Sequence, residues 1–134
     1  TVEMTAFLNP VAASYKRLGE KKAPKYVTWS PENRSQLIRI PAVKNENNRR
    51  IELRSPDPAA NPYIAYALII YAGLDGIKRG LKPAAPCNCN LFTADGSITD
   101  TLANLPDTVE KARNIAKNSE FIKRVLPEGY AESI

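Results

Sequence analysis

Residues 33–58 read NRSQLIRIPAVKNENNRRIELRSPDP. Arginine stands at five of these positions (Arg34, Arg39, Arg49, Arg50 and Arg54), and one carboxylate, Glu52, sits between two of them. The segments 36–41 (QLIRIP) and 50–55 (RIELRS) are short and alternate apolar with polar residues, which predicts strands. A third strand is predicted over 26–30, YVTWS, where β-branched and aromatic side chains favour extended backbone. Successive side chains of a strand point to opposite faces. Ile51 and Leu53 therefore share one face of the last strand, with Arg50, Glu52 and Arg54 on the other. On the middle strand Ile38 and Ile40 pair, leaving Arg39 opposite, and the polar segment 42–49 (AVKNENNR) reads as an exposed connection.

Downstream the period changes from two to that of a helix. Asn61 is a suitable N-cap, and Pro62 fits the first helical position, where a missing N–H costs nothing. Lys78 and Arg79 suit the negative end, and Gly80 stops the helix. Between them NPYIAYALIIYAGLDGIK is apolar almost all round, which predicts a helix that needs covering on most sides, by a surface larger than this piece of chain need supply, so that the isolated chain can expose it. Residues 82–106 are rich in Pro, Asn and Asp and read as a long loop. Asp107 and Glu110 stand in capping-box spacing before the stripe Val109, Ala112, Ile115 and Ala116. A last short helix is predicted over 119–126, ended by Pro127. The fold class is thus α+β: short antiparallel strands packed with a long buried helix and further C-terminal helices.

The two ends look like cuts. TVEMTAFLNP (1–10) begins without a cap and reads as the end of a helix stopped by Pro10, while EGYAESI (128–134) halts where a helix could continue. A piece of a longer chain is expected.

At 134 residues, 43% hydrophobic and 25% charged, the composition is that of one globular domain with a core. The opening residues lack the basic and apolar regions of a secretory leader. The longest apolar run, IAYALIIYAGL (64–74), has eleven residues against the roughly 20 a bilayer requires, so no membrane span and a cytoplasmic location are expected. A net charge of +5 raises the possibility of a nucleic-acid partner. Outside KRLGEKKAPK (16–25), however, the excess is arginine within strand-like segments rather than lysine along one solvated face, and no nucleic-acid partner is expected. Cys87 and Cys89 form a C-x-C pair, a spacing that makes a poor disulfide. With no histidine in the chain they lack the partners of a metal site, so two reduced loop thiols are expected.

Two readings of Arg50, Glu52 and Arg54 compete on physical grounds. One is a solvated strand face with cross-strand ion pairs, each contributing about 0.2–1 kcal/mol. Lysine would serve that purpose equally, yet this face carries only arginine. The other is a site for a polyanion and a hard cation. Guanidinium forks grip carboxylate or phosphate at two points, and a carboxylate held among them stays ionised and able to ligate Mg²⁺.

The motifs SYKRL (14–18), AP (23–24), NRSQLIRIP (33–41) and RRIELRSPDPAANPYIAYALIIYAGLDGIKRG (49–80) together resemble the C-terminal part of the glutamine synthetase catalytic domain. The ordered match runs from about Leu8 to Gly80, over half of the chain, and the remainder adds little. On this resemblance the whole of residues 1–134 is the C-terminal portion of that domain. It implies an ATP-dependent ligase in which glutamate is phosphorylated on its side-chain carboxylate and ammonia displaces the phosphate. Such chemistry uses ATP with Mg²⁺ or Mn²⁺ and cations that neutralise developing phosphoryl charge. The resemblance implies that Arg17 and Arg54 bind glutamate and that Arg34 faces both the phosphates and the acyl group. It further implies that Arg39 contacts ATP, that Glu52 is a metal ligand, and that Arg50 supports the nucleotide. A homo-oligomeric ring is implied as well.

This sequence departs from the family pattern at three places. A flap glutamate that ordinarily precedes AP is replaced by Lys22, in a flap (GEKKAP, 19–24) one residue shorter; Glu20 is the candidate substitute. A nucleotide-contacting lysine is replaced by Asn47, and Phe92 stands where some bacterial members carry a tyrosine that is adenylylated. The resemblance places the family's other metal-binding glutamates upstream of residue 1, so the isolated chain is expected to be inactive. The altered flap keeps open a γ-glutamyl ligase using another amine, or a non-catalytic homologue that binds nucleotide or glutamate.

Overall fold

The computed structural model describes residues 1–20 and 22–134; Lys21, within the flap, lies outside the described residues. Two compact units are built from interleaved segments of the chain.

The helical unit comprises Thr1–Tyr15, Pro56–Ala84 and Pro106–Ile134. Its helices are α1 (Thr5–Leu8), α2 (Ala12–Tyr15), α3 (Pro62–Lys78), α5 (Val109–Lys117) and α6 (Glu120–Val125). Helix α1 packs on α5 and α3, with Met4, Phe7, Leu8, Leu68, Val109, Ala112 and Ile122 all buried. Fully burying side chains such as Leu8, Leu68 and Ile122 stabilises by about 1.5–3 kcal/mol each. Ala112 and Ala116 are wholly inaccessible. Their small side chains let the backbone of α5 approach α1 closely.

Helix α3 starts as its sequence dictates. The Asn61 side chain accepts from the N–H groups of Tyr63 and Ile64, and Pro62 is the first helical residue. Its environment in this chain is only partly that of a buried helix, as expected if the chain does not supply the whole surface such a helix needs. Only Ala65 and Leu68 are buried, while Tyr63, Tyr66, Ile70, Leu74 and Ile77 stand exposed. Among the described residues one side of α3 is covered and the other is left exposed. Helix α5 begins one residue later than the capping-box spacing predicts. Thr108 is the cap, accepting from Lys111 N–H, and Asp107 pairs with the Lys111 ammonium instead. Ser119 caps α6 through Ile122 N–H.

The second unit comprises Lys16–Ser55 and Ala85–Leu105. It holds a three-stranded sheet of β1 (Trp29–Pro31), β2 (Ile38–Ile40) and β3 (Glu52–Leu53), in that order, together with the short helix α4 (Gly96–Thr99) inside the segment expected to be loop. The strands β2 and β3 are antiparallel, as expected, with Arg39 opposite Glu52 and Ile38 opposite Leu53. The expectation fails for β1, which pairs with β2 in parallel, Trp29 opposite Ile38. Parallel neighbours ordinarily need a crossover of a dozen or more residues. Here residues 32–37 suffice, because Glu32 takes a left-handed backbone (φ 70°) and the Asn33 side-chain oxygen Oδ1 accepts from both Ser35 N–H and its hydroxyl. The chain doubles back and re-enters the sheet beside its own start.

Candidate functional site

The centre of the site is Glu52, half-buried on β3. Cross-strand register brings Arg39 opposite it, and the pleat brings Arg54, two residues on, to the same face. Arg39 Nη1 donates to Glu52 Oε2 at 3.1 Å, and Arg54 Nε donates to Oε1 at 2.9 Å. Both guanidiniums are well shielded, with side-chain exposures of 16% and 15%, whereas Glu52 keeps 38% of its own. The acid is thus held by two largely shielded forks and faces solvent.

Each fork is fixed in turn by backbone. Arg39 Nε donates to the Glu32 carbonyl at 2.7 Å, on a residue that takes a left-handed backbone. Arg54 Nη2 donates to the carbonyl of Lys22 at 3.3 Å, and Lys22 is also left-handed, with φ 69°. Non-glycine residues occupy that region rarely and at a cost of about 1–2 kcal/mol. Arg17 Nη2 donates to the Ser55 carbonyl, tying the 16–18 segment to the end of β3. Arg54 Nη1 is buried without a hydrogen-bond partner among the described residues. Partial burial of Glu52 raises its pKa, but hydrogen bonds from Arg39 and Arg54, reinforced by their charges, outweigh that and hold it below the ordinary glutamate range.

The structure therefore brings Arg39, Glu52 and Arg54 into one hydrogen-bonded arrangement, with Arg17 anchored next to it on the carbonyl of Ser55, the residue after Arg54. The other three predicted residues stand apart from it. Arg34 is exposed on the turn between β1 and β2, with no hydrogen bond or ion pair among the described residues. Arg50, expected on the same strand face as Glu52, lies before β3 begins and donates locally to the Asn48 carbonyl at 3.3 Å. It lines an open depression of about 650 Å³ with Glu32, Ile40, Val43, Arg49 and Ile51. Glu20 is exposed in the turn before Lys22, where its carbonyl accepts from Ala23 N–H.

Sequence reasoning missed the backbone carbonyls of Glu32, Lys22 and Ser55, which aim the guanidiniums. A carbonyl has no letter of its own, and neither Glu32 nor Lys22 announces a left-handed conformation. It also missed the role of Cys89, whose carbonyl accepts from Asn33 Nδ2 and Gln36 Nε2, both at 2.9 Å, and from Ser35 Oγ at 3.3 Å. The residues NRSQ thus fold onto the 87–89 segment. The two cysteines of that segment are free, as expected, and Cys87 Sγ and Cys89 Sγ lie 3.3 Å apart.

The chemistry of this donor set can be weighed against a divalent cation. Glu52 retains a lone pair on each oxygen and faces solvent, so it fits as one carboxylate ligand. The described residues assemble no group of three or more potential metal ligands. This chain accordingly fits as a contributor to a metal shell completed by other groups.

On this sheet face two guanidiniums flank one ionised carboxylate, an arrangement whose chemistry suits anions and a cation. The comparisons give the class: the family model described as "Glutamine synthetase, catalytic domain" matches residues 1–134, and the chain belongs to that family. It is 47% identical over 129 residues to a glutamine synthetase of Methanosarcina mazei, covering 94% of this chain and 29% of that protein. It is 43% identical over 126 residues to one of Clostridium saccharobutylicum, covering 92% of this chain and 28% of the relative. The chain thus spans less than a third of the length of these relatives. Among solved structures it is similar to a GmaS/ADP complex, with a TM-score of 0.83 and 31% identity over 98% of this chain and 30% of the other. It is likewise similar to GmaS without ligand, with a TM-score of 0.81 and 33% identity over 96% of this chain and 28% of the other. No helix among the described residues is long and apolar enough to cross a membrane.

Proposed function

We propose that the protein to which this chain belongs is an ATP-dependent ligase that forms glutamine from glutamate and ammonia through a γ-glutamyl phosphate. The observation that carries this reading is the Arg39–Glu52–Arg54 arrangement in a chain of the glutamine synthetase family. In it Glu52 is one ligand of a Mg²⁺ or Mn²⁺ ion, which when bound offsets negative charge on the nucleotide phosphates. Arg54 is the arginine that binds the glutamate carboxylate, and Arg17, anchored on the adjacent Ser55 carbonyl, supplies a second cation. Arg39 orients the nucleotide, and Arg50 lines the depression beside the sheet. Arg34, exposed and unbonded, reaches toward the phosphoryl group as charge builds on its oxygens. Glu20 offers the exposed carboxylate that deprotonates ammonium. Likeness to an ADP complex supports the nucleotide part of the reading.

One observation favours a second amine. Lys22 stands immediately before Ala23 and Pro24 with its side chain exposed, and its positive charge disfavours capture of ammonium there. On that variant reading the same acyl phosphate is attacked by a larger amine. Homo-oligomeric assembly of the parent protein belongs to the same proposal, supported by the apolar face that α3 leaves exposed, and light scattering of the whole protein tests it.

The experiment is ADP release by the whole protein with glutamate and ATP, comparing ammonia with a panel of organic amines. Ammonia-dependent turnover that falls about 10²–10³-fold in Arg34→Ala is expected. Turnover with a larger amine alone moves the assignment to that amine. ATP binding without turnover on any amine overturns the ligase in favour of a non-catalytic homologue. The isolated 134-residue chain, with one carboxylate for a metal, is expected to give no turnover.

A further inference from the structure

Cys87 and Cys89 have no part in the proposed chemistry, yet their surroundings are built. Both thiols are partly exposed, and their sulfurs lie 3.3 Å apart, within contact. The tripeptide between β1 and the turn is fixed at each residue. Cys87 N–H donates to the Trp29 carbonyl at 2.8 Å, and the Asn88 side-chain oxygen accepts from Ser30 Oγ at 2.9 Å. The Cys89 carbonyl collects the donors of Asn33, Ser35 and Gln36. Ser35 Oγ also accepts from Leu91 N–H at 2.9 Å. The residue at the exposed apex of that turn is Arg34.

We propose that Cys87 and Cys89 are a reversible dithiol–disulfide pair that reacts with hydroperoxides, and that closing it displaces the turn carrying Arg34. One thiolate attacks a peroxide oxygen; the O–O bond breaks, that sulfur becomes a sulfenic acid, and the departing oxygen leaves as water after taking a proton. The second thiolate attacks the sulfenic sulfur, forming the S–S bond and releasing hydroxide, which is protonated to water. Two thiols and one hydrogen peroxide thus give one disulfide and two waters, the sulfurs losing the two electrons that the peroxide gains. Proximity makes the internal step faster than further oxidation or capture by an external thiol.

Closure has a structural consequence. The sulfurs must come from 3.3 Å to the roughly 2.05 Å of a disulfide, across one intervening residue. The 87–89 backbone has to bend, and it is pinned at Cys87 N–H and at the Cys89 carbonyl. The yielding element is the set of side-chain bonds that Asn33, Ser35 and Gln36 donate to the Cys89 carbonyl; Ser35 and Gln36 are buried, so losing these bonds requires the turn itself to move and admit water. Strain of this kind also keeps the disulfide easy to reduce.

The test treats the whole protein with hydrogen peroxide, alkylates the remaining thiols, and follows peptide masses together with amide hydrogen exchange over residues 31–40. Expected is the loss of two hydrogens from the peptide containing Cys87 and Cys89 and protection of both from alkylation. Exchange at residues 33–37 should rise, and dithiothreitol should reverse all three changes. Cys87→Ser and Cys89→Ser, isosteric at a half-exposed site, should each abolish the exchange response. Sulfinic acid or an external mixed disulfide in place of the internal bond overturns the proposal, as does an internal disulfide with unchanged exchange at 33–37. No readout uses ATP or an amine, so failure here and failure of the ligase reading are separable.

Discussion

Glu52 is where single-residue chemistry can be tested most directly. Its carboxylate accepts one hydrogen bond on each oxygen from a separate, shielded arginine. The folded-state pKa lies below the ordinary value, so the folded protein binds fewer protons than the unfolded chain as pH falls through this range. The stability Glu52 contributes is therefore complete above the ordinary glutamate pKa of about 4.3, and is lost as pH drops through the depressed folded value. Glu52→Gln should be less stable than the parent chain at neutral pH, and the gap should close on acidification; urea unfolding at a series of pH values measures it. A gap independent of pH would mean that the ion pairs do not carry the effect. Arg39 gives a companion prediction. Its Nε and Nη1 serve the Glu32 carbonyl and Glu52 together, whereas a lysine ammonium on a flexible stem cannot reproduce that fork. Arg39→Lys should cost about 1–2 kcal/mol in the same assay despite keeping the charge.

At the scale of elements, helix starts were legible because capping is local. Asn61 and Pro62 name the beginning of α3, and Asn61→Ala should cost about 1 kcal/mol, with Asn61→Asp retaining the acceptor and most of the stability. Ser119 does more than its place in the sequence indicates. Besides capping α6 through Ile122 N–H, its hydroxyl donates to the Glu3 carboxylate at 2.6 Å, across 116 residues of chain. Ser119→Ala should therefore cost about 1–2 kcal/mol. Ser119→Asp should fail to restore it, because the new carboxylate would face Glu3; restoration would show that the cap alone matters. Thermal unfolding of the variants decides between these outcomes. The strands show the other side of legibility. Alternation located β2 and β3 and placed Glu52 with Arg54, but pairing direction is a non-local property. The parallel β1–β2 arrangement depends on the left-handed Glu32 and the Asn33 side-chain turn, and only the second has a recognisable sequence cue. The site was legible to the same extent: its charged letters were read, and the carbonyls that aim them were not.

At the scale of the whole chain composition is legible only in part, for a physical reason. Apolar residues all round a helix state how much surface must be covered, not which molecule covers it. One seam of α3 carries Ala65 and Leu68 into the helical unit. The other carries Tyr63, Tyr66, Ile70, Leu74 and Ile77 at helical spacing, with Ile77 79% exposed and Tyr63 84%. The relatives it matches are more than three times as long. In the 134-residue chain the exposed seam contributes little to folding, because its side chains are wet in both folded and unfolded states. Ile70→Lys with Ile77→Lys should then leave the urea midpoint of the 134-residue chain nearly unchanged. It should also weaken binding of an apolar fluorescent dye and raise the concentration at which the chain self-associates. A fall in the midpoint by the amount expected for two core isoleucines, about 1.5–3 kcal/mol each, would mean that α3 buries this seam within the chain after all.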